Sequence, residues 1–398
     1  MGAITPFNFN TIMPLEVFMN TRFDKWVSFY GNAMSISENK PESYSKDITL
    51  RYPLYCPFSG DSIRLTFDNY CTDEEITLSE VTILYKDAFY PVTFLGNTSM
   101  KISANKAITT DELSIDITAG DTITVSFYLG DFTKMRSSVY VQGPLSGGQY
   151  ALGNQTYCKD FPIDISRKTN IYYFLANASI RTSANNHAVI CYGDSITAQD
   201  WPDYLSLICR EQGINNVSFI RRATSGSRIL RQYSCITYES YGLMGANRFD
   251  HEIPMTDGAD AIIIQQGIND IIHPVGVEVN PFRPMSDLPT TSQLIDGLKT
   301  YIEKAASYKL KTYVGTLLPI KGWRTYEDFR EVMKNEYNDW IRNANLSGCP
   351  IDFDKATRCP SDASSFDSAY DSGDHLHPSA AGYKQMAIEA FKNLFPNS

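Results

Sequence analysis

Apolar and polar residues alternate along short stretches of the first half of the chain. The alternation covers residues 63–67 and 81–85, and a period of two is typical of strands with one buried face. The clearest stretch predicts a hairpin in which residues 113–117 pair with residues 123–127. Gly120 lies between them, where a tight turn needs a positive φ. Strands that recur between turn signals predict a β-sandwich.

From about residue 184 the pattern changes to strands that alternate with amphipathic helices. Parallel strands covered by helices form a doubly wound sheet, which binds its ligands at the carboxyl ends of the strands. The predicted strands are 187–192, one near Val217, 261–265, 311–317 and 351–353, and the predicted helices begin at Trp201, Thr291, Tyr326 and after Pro378.

The length of the chain favours two domains, because 398 residues exceed the usual size of one hydrophobic core. We predict an accessory β-sandwich, jelly-roll-like, over residues 1–183. We predict a three-layer α/β/α domain with a flavodoxin-like parallel sheet over residues 184–398.

Composition and charge exclude several classes of partner. Lys and Arg total 35 against 45 Asp and Glu, and the net charge of −10 disfavours nucleic acid and anionic membrane surfaces. No segment is apolar enough over a sufficient length to span a bilayer. The opening MGAITPFNFN lacks the pattern of a secretion signal, and the eight cysteines form no C-x-x-C pair, so we expect a cytoplasmic protein.

The first candidate for chemistry is Ser195, in the run Gly193-Asp194-Ser195 between a buried strand and a helix. A serine in this position is exposed at the carboxyl edge of the sheet. Backbone N–H groups at the start of the helix could stabilise a developing oxyanion. A serine hydroxyl becomes a good nucleophile only when a neighbouring base takes its proton. Gly-Asp-Ser by itself is also a common turn.

The base is found near the other end of the chain, where Asp374 and His377 are three residues apart before a helix. This spacing lets the carboxylate orient the imidazole, whose other nitrogen can take the proton of Ser195. A metal site built from Asp371, Asp374, His375 and His377 is the alternative interpretation of the cluster. A metal site would give the serine motif no role in the reaction. We expect His375 to lie at the surface or behind the catalytic groups.

Two further blocks follow predicted strands. Asn269, in the run GIND, could donate its side-chain amide to an oxyanion, and Gly226, in the run TSGS, could donate its backbone N–H. Either block alone is typical of an ordinary turn.

Ser195, Gly226, Asn269 and His377, in this order and in these settings, resemble the four blocks of the SGNH (GDSL-type) hydrolases. The resemblance covers residues 187–398 and implies a Ser195–His377–Asp374 triad. It also implies an oxyanion hole formed by the N–H groups of Ser195 and Gly226 and by the Asn269 amide.

The runs GINDIIHP and YDSGDHLHPSAAGY look like a bacterial branch of this family whose members carry an N-terminal β-sandwich. The chain departs from the family's pattern before Gly226, where it has Arg221 and Ala223 and many relatives have Asn and Gly.

Several residues near the blocks are candidates for the substrate pocket. They are Asp194, Trp201, Arg228, His273 and Trp323, and core packing is the alternative interpretation for the tryptophans. For Arg228 a surface position is the simpler interpretation. In the sandwich, Tyr52, Tyr55 and Phe58 could stack on a sugar or could belong to a core.

Together these features predict a serine esterase that needs no cofactor and no metal. A short acyl group, such as acetyl, on a carbohydrate or another polar alcohol is the preferred substrate. The alternatives are a lysophospholipase or thioesterase for longer chains, a glycan-binding protein with a vestigial site, and a metal-dependent hydrolase. Self-association into a homo-oligomer is left open.

Overall fold

The computed structural model describes residues 23–36, 43–233 and 235–396. The strands up to residue 182 pair antiparallel, whereas the main sheet after residue 187 is parallel. This change confirms the predicted order of a strand-rich first region and an α/β second region.

The first region contains eighteen strands within the described residues. They are β1 (Lys25–Gly31), β2 (Ser35–Ile36), β3 (Tyr44–Ser45), β4 (Ile48–Tyr55), β5 (Gly60–Asp68), β6 (Ile76–Leu78), β7 (Glu80–Tyr85), β8 (Ala88–Val92), β9 (Met100–Ile102), β10 (Ala107–Thr109), β11 (Leu113–Ile117), β12 (Thr122–Leu129), β13 (Thr133–Lys134), β14 (Ser137–Tyr140), β15 (Gly148–Leu152), β16 (Ser166–Thr169), β17 (Ile171–Tyr173) and β18 (Leu175–Thr182).

Two larger antiparallel sheets pack face to face in this region. One has the order β1-β18-β5-β10, with β11 also paired to β5, and the other has the order β16-β15-β4-β12-β7-β8. Their inner faces meet, for example where the rings of Phe67 and Phe127 lie 5.2 Å apart. The alternating residues of the sequence therefore fill the core of a sandwich.

The predicted hairpin of residues 113–117 with 123–127 is wrong. β11 pairs with β5, whereas β12 is bordered on both edges by β4 and β7 and has no free edge for β11. The turn at Gly120, with φ +87°, is present, but it carries the chain from one sheet to the other. Both strands point their apolar residues into the same core, which is why their patterns look like those of a pair.

The three sandwich aromatics lie in different settings. Tyr52 and Phe58 are fully buried, so neither can stack on a sugar at the surface. Tyr55 is half-buried and lines a small cavity of about 40 Å³ between the two regions.

The second region is built on a parallel sheet with the order β20-β19-β21-β22-β23, the order of flavodoxin-like folds. Helices α2, α7 and α8 pack together, and α5 and α6 form a second group, which gives the three layers predicted from the sequence. The elements are β19 (His187–Gly193), α1 (Ser195–Ala198), α2 (Trp201–Glu211), β20 (Val217–Ala223), α3 (Gly245–Glu252), β21 (Ala259–Gln265), α4 (Ile268–Ile272), α5 (Thr291–Ser307), β22 (Lys311–Gly315), α6 (Asp328–Asn343), β23 (Pro350–Ile351), α7 (Phe353–Thr357), β24 (Arg358–Cys359), β25 (Asp362–Phe366) and α8 (Ala380–Leu394).

Two strand ends differ from the prediction. β22 stops at Gly315 because the backbone of Leu317 bonds instead to the side-chain amide of Asn338 on α6. Phe353 begins α7, and the Asp352 side chain caps that helix by accepting from the N–H of Lys355.

The two regions share a boundary rather than a linker. Ala188 and Ile220 of the parallel sheet belong to the apolar core of the sandwich region. The division of domains at residues 183 and 184 stays a prediction.

None of the eight cysteines, which all lie within the described residues, forms a disulfide. No helix in the described part of the chain is long and apolar enough to cross a bilayer.

Candidate active site

Ser195 lies at the first position of α1, directly after the carboxyl end of β19. Asp194 caps this short helix, and its side chain accepts from the N–H of Ile196 at 3.1 Å. Gly193 is enclosed, because a Cβ there would collide with the backbone oxygen of Gln265 and lie 2.6 Å from Thr197 Oγ1. The chain can turn this tightly from strand to helix only with glycine at position 193.

The side chains of Ser195, His377 and Asp374 form a continuous chain of hydrogen bonds. Ser195 Oγ lies 2.9 Å from His377 Nε2, and His377 Nδ1 lies 2.7 Å from Asp374 Oδ2. Ser195 and His377 are 182 residues apart in the sequence and meet only through the fold. A carboxylate on one imidazole nitrogen and a hydroxyl on the other is the arrangement that activates a serine.

Asp374 is held in its charged form. Desolvation acts to raise the pKa of this carboxyl, but the hydrogen bond from the His377 ring and those from the backbone N–H groups of His377 and Leu376 outweigh it. The pKa of Asp374 therefore lies well below its usual value. The negative charge stays available to orient the imidazole across the ordinary pH range.

Asn269 lies on α4, just beyond the carboxyl end of β21, and is buried. Its Nδ2 donates to the backbone oxygen of Ser227 at 3.1 Å. The neighbouring Asp270 accepts from the N–H groups of Ile229 and Leu230 at 2.7 and 3.0 Å. These bonds attach the segment that carries Asn269 to the loop that follows Gly226.

Gly226 has φ +75°, a conformation that favours glycine. A Cβ at this position would overlap the ring of Tyr241, so a side chain has neither the space nor the backbone geometry it needs. The departure at positions 221 and 223 thus does not remove the turn. Arg221 instead forms a buried ion pair with Asp203, at 2.5 Å.

The pocket candidates divide into two groups. Asp194 and Trp201 have no exposed surface, and Trp201 packs against Phe353 in the core, so Trp201 is a core residue and not a pocket residue. The surface position considered for Arg228 is wrong, since its side chain is only 1% exposed and contacts Asp287 and Tyr233.

His273 and Trp323 lie beside residues of the candidate site. His273 follows Asn269 by one helical turn, and its ring stacks on Tyr241 with centroids 5.0 Å apart. Trp323 is half-buried, and its neighbour Gly322 lies against the ring of His375. The expectation for His375 holds: it is half-exposed, and its Nδ1 bonds to Asp371 at 2.5 Å rather than to the serine.

The imidazoles of His375 and His377 thus pair with different carboxylates, Asp371 and Asp374. Within the residues that the structure describes, no group of three or more His, Cys, Asp or Glu side chains is arranged to hold a metal ion.

Sequence reasoning missed an aromatic group beside this site. Tyr233, Tyr238 and Tyr241 contact one another, and Tyr233 and Tyr241 also contact His273. Residues 233–241 show neither a helical nor a strand period. The one signal in the sequence was the density of tyrosines shortly after Gly226.

The sheet order and the helical layers define a doubly wound α/β protein with a serine–histidine pair at the carboxyl edge of its sheet. Residues 191–385 match the sequence model of the GDSL-like Lipase/Acylhydrolase family. Residues 191–385 are therefore a domain of that family.

Three solved structures are similar to this chain at low sequence identity. A putative lipolytic protein of the G-D-S-L family from Desulfitobacterium hafniense is 18% identical, with a TM-score of 0.37, and 52% of this chain covers 98% of that one. A GDSL-like lipase from Bacteroides thetaiotaomicron is 14% identical, with a TM-score of 0.38 and coverage of 53% and 89%. An acetylxylan esterase from Geobacillus stearothermophilus is 12% identical, with a TM-score of 0.38 and coverage of 52% and 94%. A search of curated proteins gave no match.

Proposed function

We propose that this protein is a serine esterase that forms an acyl-enzyme on Ser195. The observation that carries the proposal is the chain of bonds from Ser195 Oγ through His377 to Asp374, at 2.9 and 2.7 Å. Membership of the C-terminal half in a family of acylhydrolases supports it.

In the first half of the reaction, Ser195 Oγ attacks the ester carbonyl while His377 Nε2 takes the hydroxyl proton. The carbonyl oxygen becomes an oxyanion, which accepts from the N–H groups of Ser195 and Gly226 and from Asn269 Nδ2. The intermediate collapses as the bond to the alcohol breaks, and the proton on His377 passes to the leaving alcohol.

In the second half, water attacks the acyl-enzyme and gives a proton to His377. The second intermediate releases the carboxylic acid, and the proton returns to Ser195 Oγ. Asp374 stabilises the imidazolium that forms in each half and does not take the proton itself.

A short acyl group on a polar alcohol, such as a carbohydrate, is the substrate class we propose. The groups beside the oxyanion donors are tyrosine rings, a histidine and arginines, which bind polar oxygens better than a hydrocarbon chain. No cofactor takes part in the proposed chemistry.

One observation favours longer acyl chains as a second candidate. Val277, Val279 and Phe282, on the segment between α4 and α5, are 56%, 73% and 51% exposed, and that segment starts just after His273. An exposed apolar surface near the site could accept the chain of a lysophospholipid or a thioester.

The two candidates are separated by the rates of hydrolysis of p-nitrophenyl esters from acetate to decanoate. We expect kcat/KM to fall with chain length for the short-chain esterase, whereas a rise towards decanoate would select the second candidate. Ser195→Ala should lower kcat on the order of 10⁵-fold, because the nucleophile is lost. Ser206→Ala, on α2, is the matched control and should stay within twofold of the wild type.

A serine-directed fluorophosphonate should add its mass to the peptide that contains Ser195, and EDTA should leave the activity unchanged. Activity that survives Ser195→Ala but is lost with EDTA would select a metal-dependent hydrolase. Sugar binding by the wild type without any turnover would select the glycan-binding alternative. A homo-oligomer and a cytoplasmic location stay predictions, which ultracentrifugation and cell fractionation would test.

A further inference from the structure

A cluster of arginine and aromatic side chains lies beside the candidate oxyanion hole. It is called here the arginine–tyrosine cluster, and its members are Arg228, Tyr233, Tyr238, Tyr241, His273 and Arg283. The rings of Tyr233 and Tyr241 lie 5.5 Å apart, and Arg228 is placed 4.2 Å above the ring of Tyr233. Arg283 is placed 5.3 Å above the ring of Tyr238.

The cluster adjoins both groups that we assign to the oxyanion. Tyr241 fills the space that a side chain at Gly226 would need, and the backbone N–H of His273 donates to the backbone oxygen of Asn269 at 3.2 Å. A substrate whose carbonyl oxygen reached Gly226 and Asn269 would therefore bring its neighbouring atoms against this cluster.

Positive charge is in excess around the cluster. The guanidinium groups of Arg228, Arg283, Arg324 and Arg330 all act on His273, and together with its burial they lower the pKa of this histidine well below its usual value. Of the four, only Arg228 makes an ion pair with a described residue, at 3.4 Å to Asp287. Arg330 donates to the backbone oxygens of Ile271 and Pro274, so Arg283 is the guanidinium of the cluster that lacks a carboxylate partner among the described residues.

Several polar atoms of the cluster are buried without a hydrogen-bond partner among the described residues. They are Arg228 Nε, Tyr233 Oη, His273 Nδ1 and Arg283 Nε. Burying such an atom without a partner destabilises the fold, so four of them in one place call for an explanation. Tyr238, Tyr241 and Arg283 are only partly buried, so a ligand that carries oxygen acceptors can approach the guanidinium of Arg283 from that side of the cluster.

We infer that the arginine–tyrosine cluster binds a carboxylate carried by the ester substrate. Planar guanidinium groups match the two oxygens of a carboxylate, and the tyrosine rings provide a face for the remainder of the molecule. The inference rests on the proposed esterase function and narrows its substrate class to anionic esters. The carboxylate belongs either to the acyl part, as in a succinyl ester, or to the alcohol, as in an acetylated uronic acid.

Matched pairs of esters test the inference on each side of the scissile bond. Mono-p-nitrophenyl succinate is compared with p-nitrophenyl pentanoate for the acyl side. Acetylated glucuronic acid is compared with acetylated glucose for the alcohol side, with acetate release as the readout. In at least one pair we expect kcat/KM to be about tenfold higher for the charged ester, and this ratio should fall as salt is added.

Arg283→Gln should reduce the charged-to-neutral ratio about tenfold, and Arg283→Lys, which keeps the charge but not the planar fork, should reduce it less. Arg167→Gln removes an exposed arginine of the sandwich and should leave the ratio as it is in the wild type. Circular dichroism of each variant confirms that it is folded.

The outcomes distinguish the inference from the function on which it rests. Ser195-dependent hydrolysis of the neutral esters, with no preference for charge in either pair, would overturn the inference and keep the esterase. If no ester is hydrolysed, the proposed function fails, and calorimetric titration with succinate and with glucuronate decides the inference alone. Binding that Arg283→Gln weakens would support a carboxylate site, and the absence of binding would overturn it.

Discussion

The region around α1 and the last loop contains two similar pairs of aspartate and histidine, and only one of them contacts the serine. His377 Nδ1 bonds to Asp374, and its Nε2 faces Ser195 Oγ, whereas His375 Nδ1 bonds to Asp371. The two pairs are close in sequence and alike in chemistry. Each is therefore a natural control for the other.

The first prediction uses this pairing. Asp374→Asn should lower kcat by about 10²–10⁴-fold with little change in KM, because the amide cannot hold the tautomer or stabilise the imidazolium. Asp371→Asn should change kcat less than fivefold. Both variants are assayed with p-nitrophenyl acetate, and equal losses in the two would contradict the assignment of Asp374.

A second prediction at this scale concerns Asp194, whose burial raises its pKa to about 7 from the ordinary value of 3.8. In the unfolded chain the group loses its proton near pH 4, while in the folded chain it keeps the proton up to about pH 7. Its contribution to stability is therefore present below the unfolded pKa and is lost as the pH rises through the folded pKa.

Asp194→Asn removes this titration and keeps a side-chain oxygen for the N–H of Ile196. We expect the free energy of unfolding of the wild type to fall relative to the variant between pH 4 and pH 8, by about 1.4 kcal/mol for each unit by which the pKa is raised. Urea unfolding at several pH values measures the difference, with the exposed Asp296→Asn as the control. A difference that does not change with pH would show that Asp194 is ionised in the folded protein.

At the scale of elements, the turn from β19 to α1 was predictable because each of its parts is local. A run of apolar residues ends at a glycine, and a capping aspartate precedes the helix. The pairing of β11 was not predictable, because the partner of a strand is chosen by tertiary packing, and β12 already had a neighbour on each edge. Local pattern indicated the strands but not their neighbours.

The same distinction holds for the site. Ser195, Asn269 and His377 lie at element ends that the sequence marks, so their meeting at one edge of the sheet could be expected. The burial of Arg228 depends on Asp287, 59 residues further along the chain, and no local pattern announces that contact. For this reason the arginine–tyrosine cluster could not be predicted from the sequence.

The turn after β19 provides the third prediction. Gly193→Ala places a Cβ against the backbone oxygen of Gln265 and against Thr197, neither of which is the end of a flexible side chain. We expect a loss of about 1–3 kcal/mol in the free energy of unfolding and a fall of more than tenfold in kcat, because α1 must shift.

Gly147→Ala is the control for this change. At that position the nearest atom to a new Cβ is Pro53 Cγ at 3.5 Å, an ordinary contact. Its free energy of unfolding should change by less than about 0.5 kcal/mol. Urea unfolding and the ester assay, run on the same preparations, compare the two variants, and a Gly193→Ala enzyme with full activity would contradict the tight turn.

At the scale of the whole molecule, the two regions are joined by buried polar contacts as well as by shared apolar residues. Arg222 of β20 is fully buried and donates to the backbone oxygens of Asn32 and Ala176 at 2.7 and 2.8 Å. It also donates to the side chain of Asn177. Because all three acceptors belong to the sandwich region, we expect the two regions to unfold together in one transition.

The last prediction compares two arginines that both cross this boundary. Arg222→Met leaves the three buried oxygens without their donor, so we expect the free energy of unfolding to fall by about 3 kcal/mol or more. Arg64→Met removes an ion pair to Asp257 whose side chains are about one-third exposed, and we expect a loss of less than about 1 kcal/mol.

Urea unfolding followed by tryptophan fluorescence and by circular dichroism provides the measurement, and the two signals should coincide in the wild type. Separate transitions for the two signals would mean that the regions are stable without each other. The sandwich would then be an independent module that is stable without the second region. Coincident transitions, with Arg222→Met much less stable than Arg64→Met, would mean that the hydrolase sheet depends on the sandwich for part of its stability.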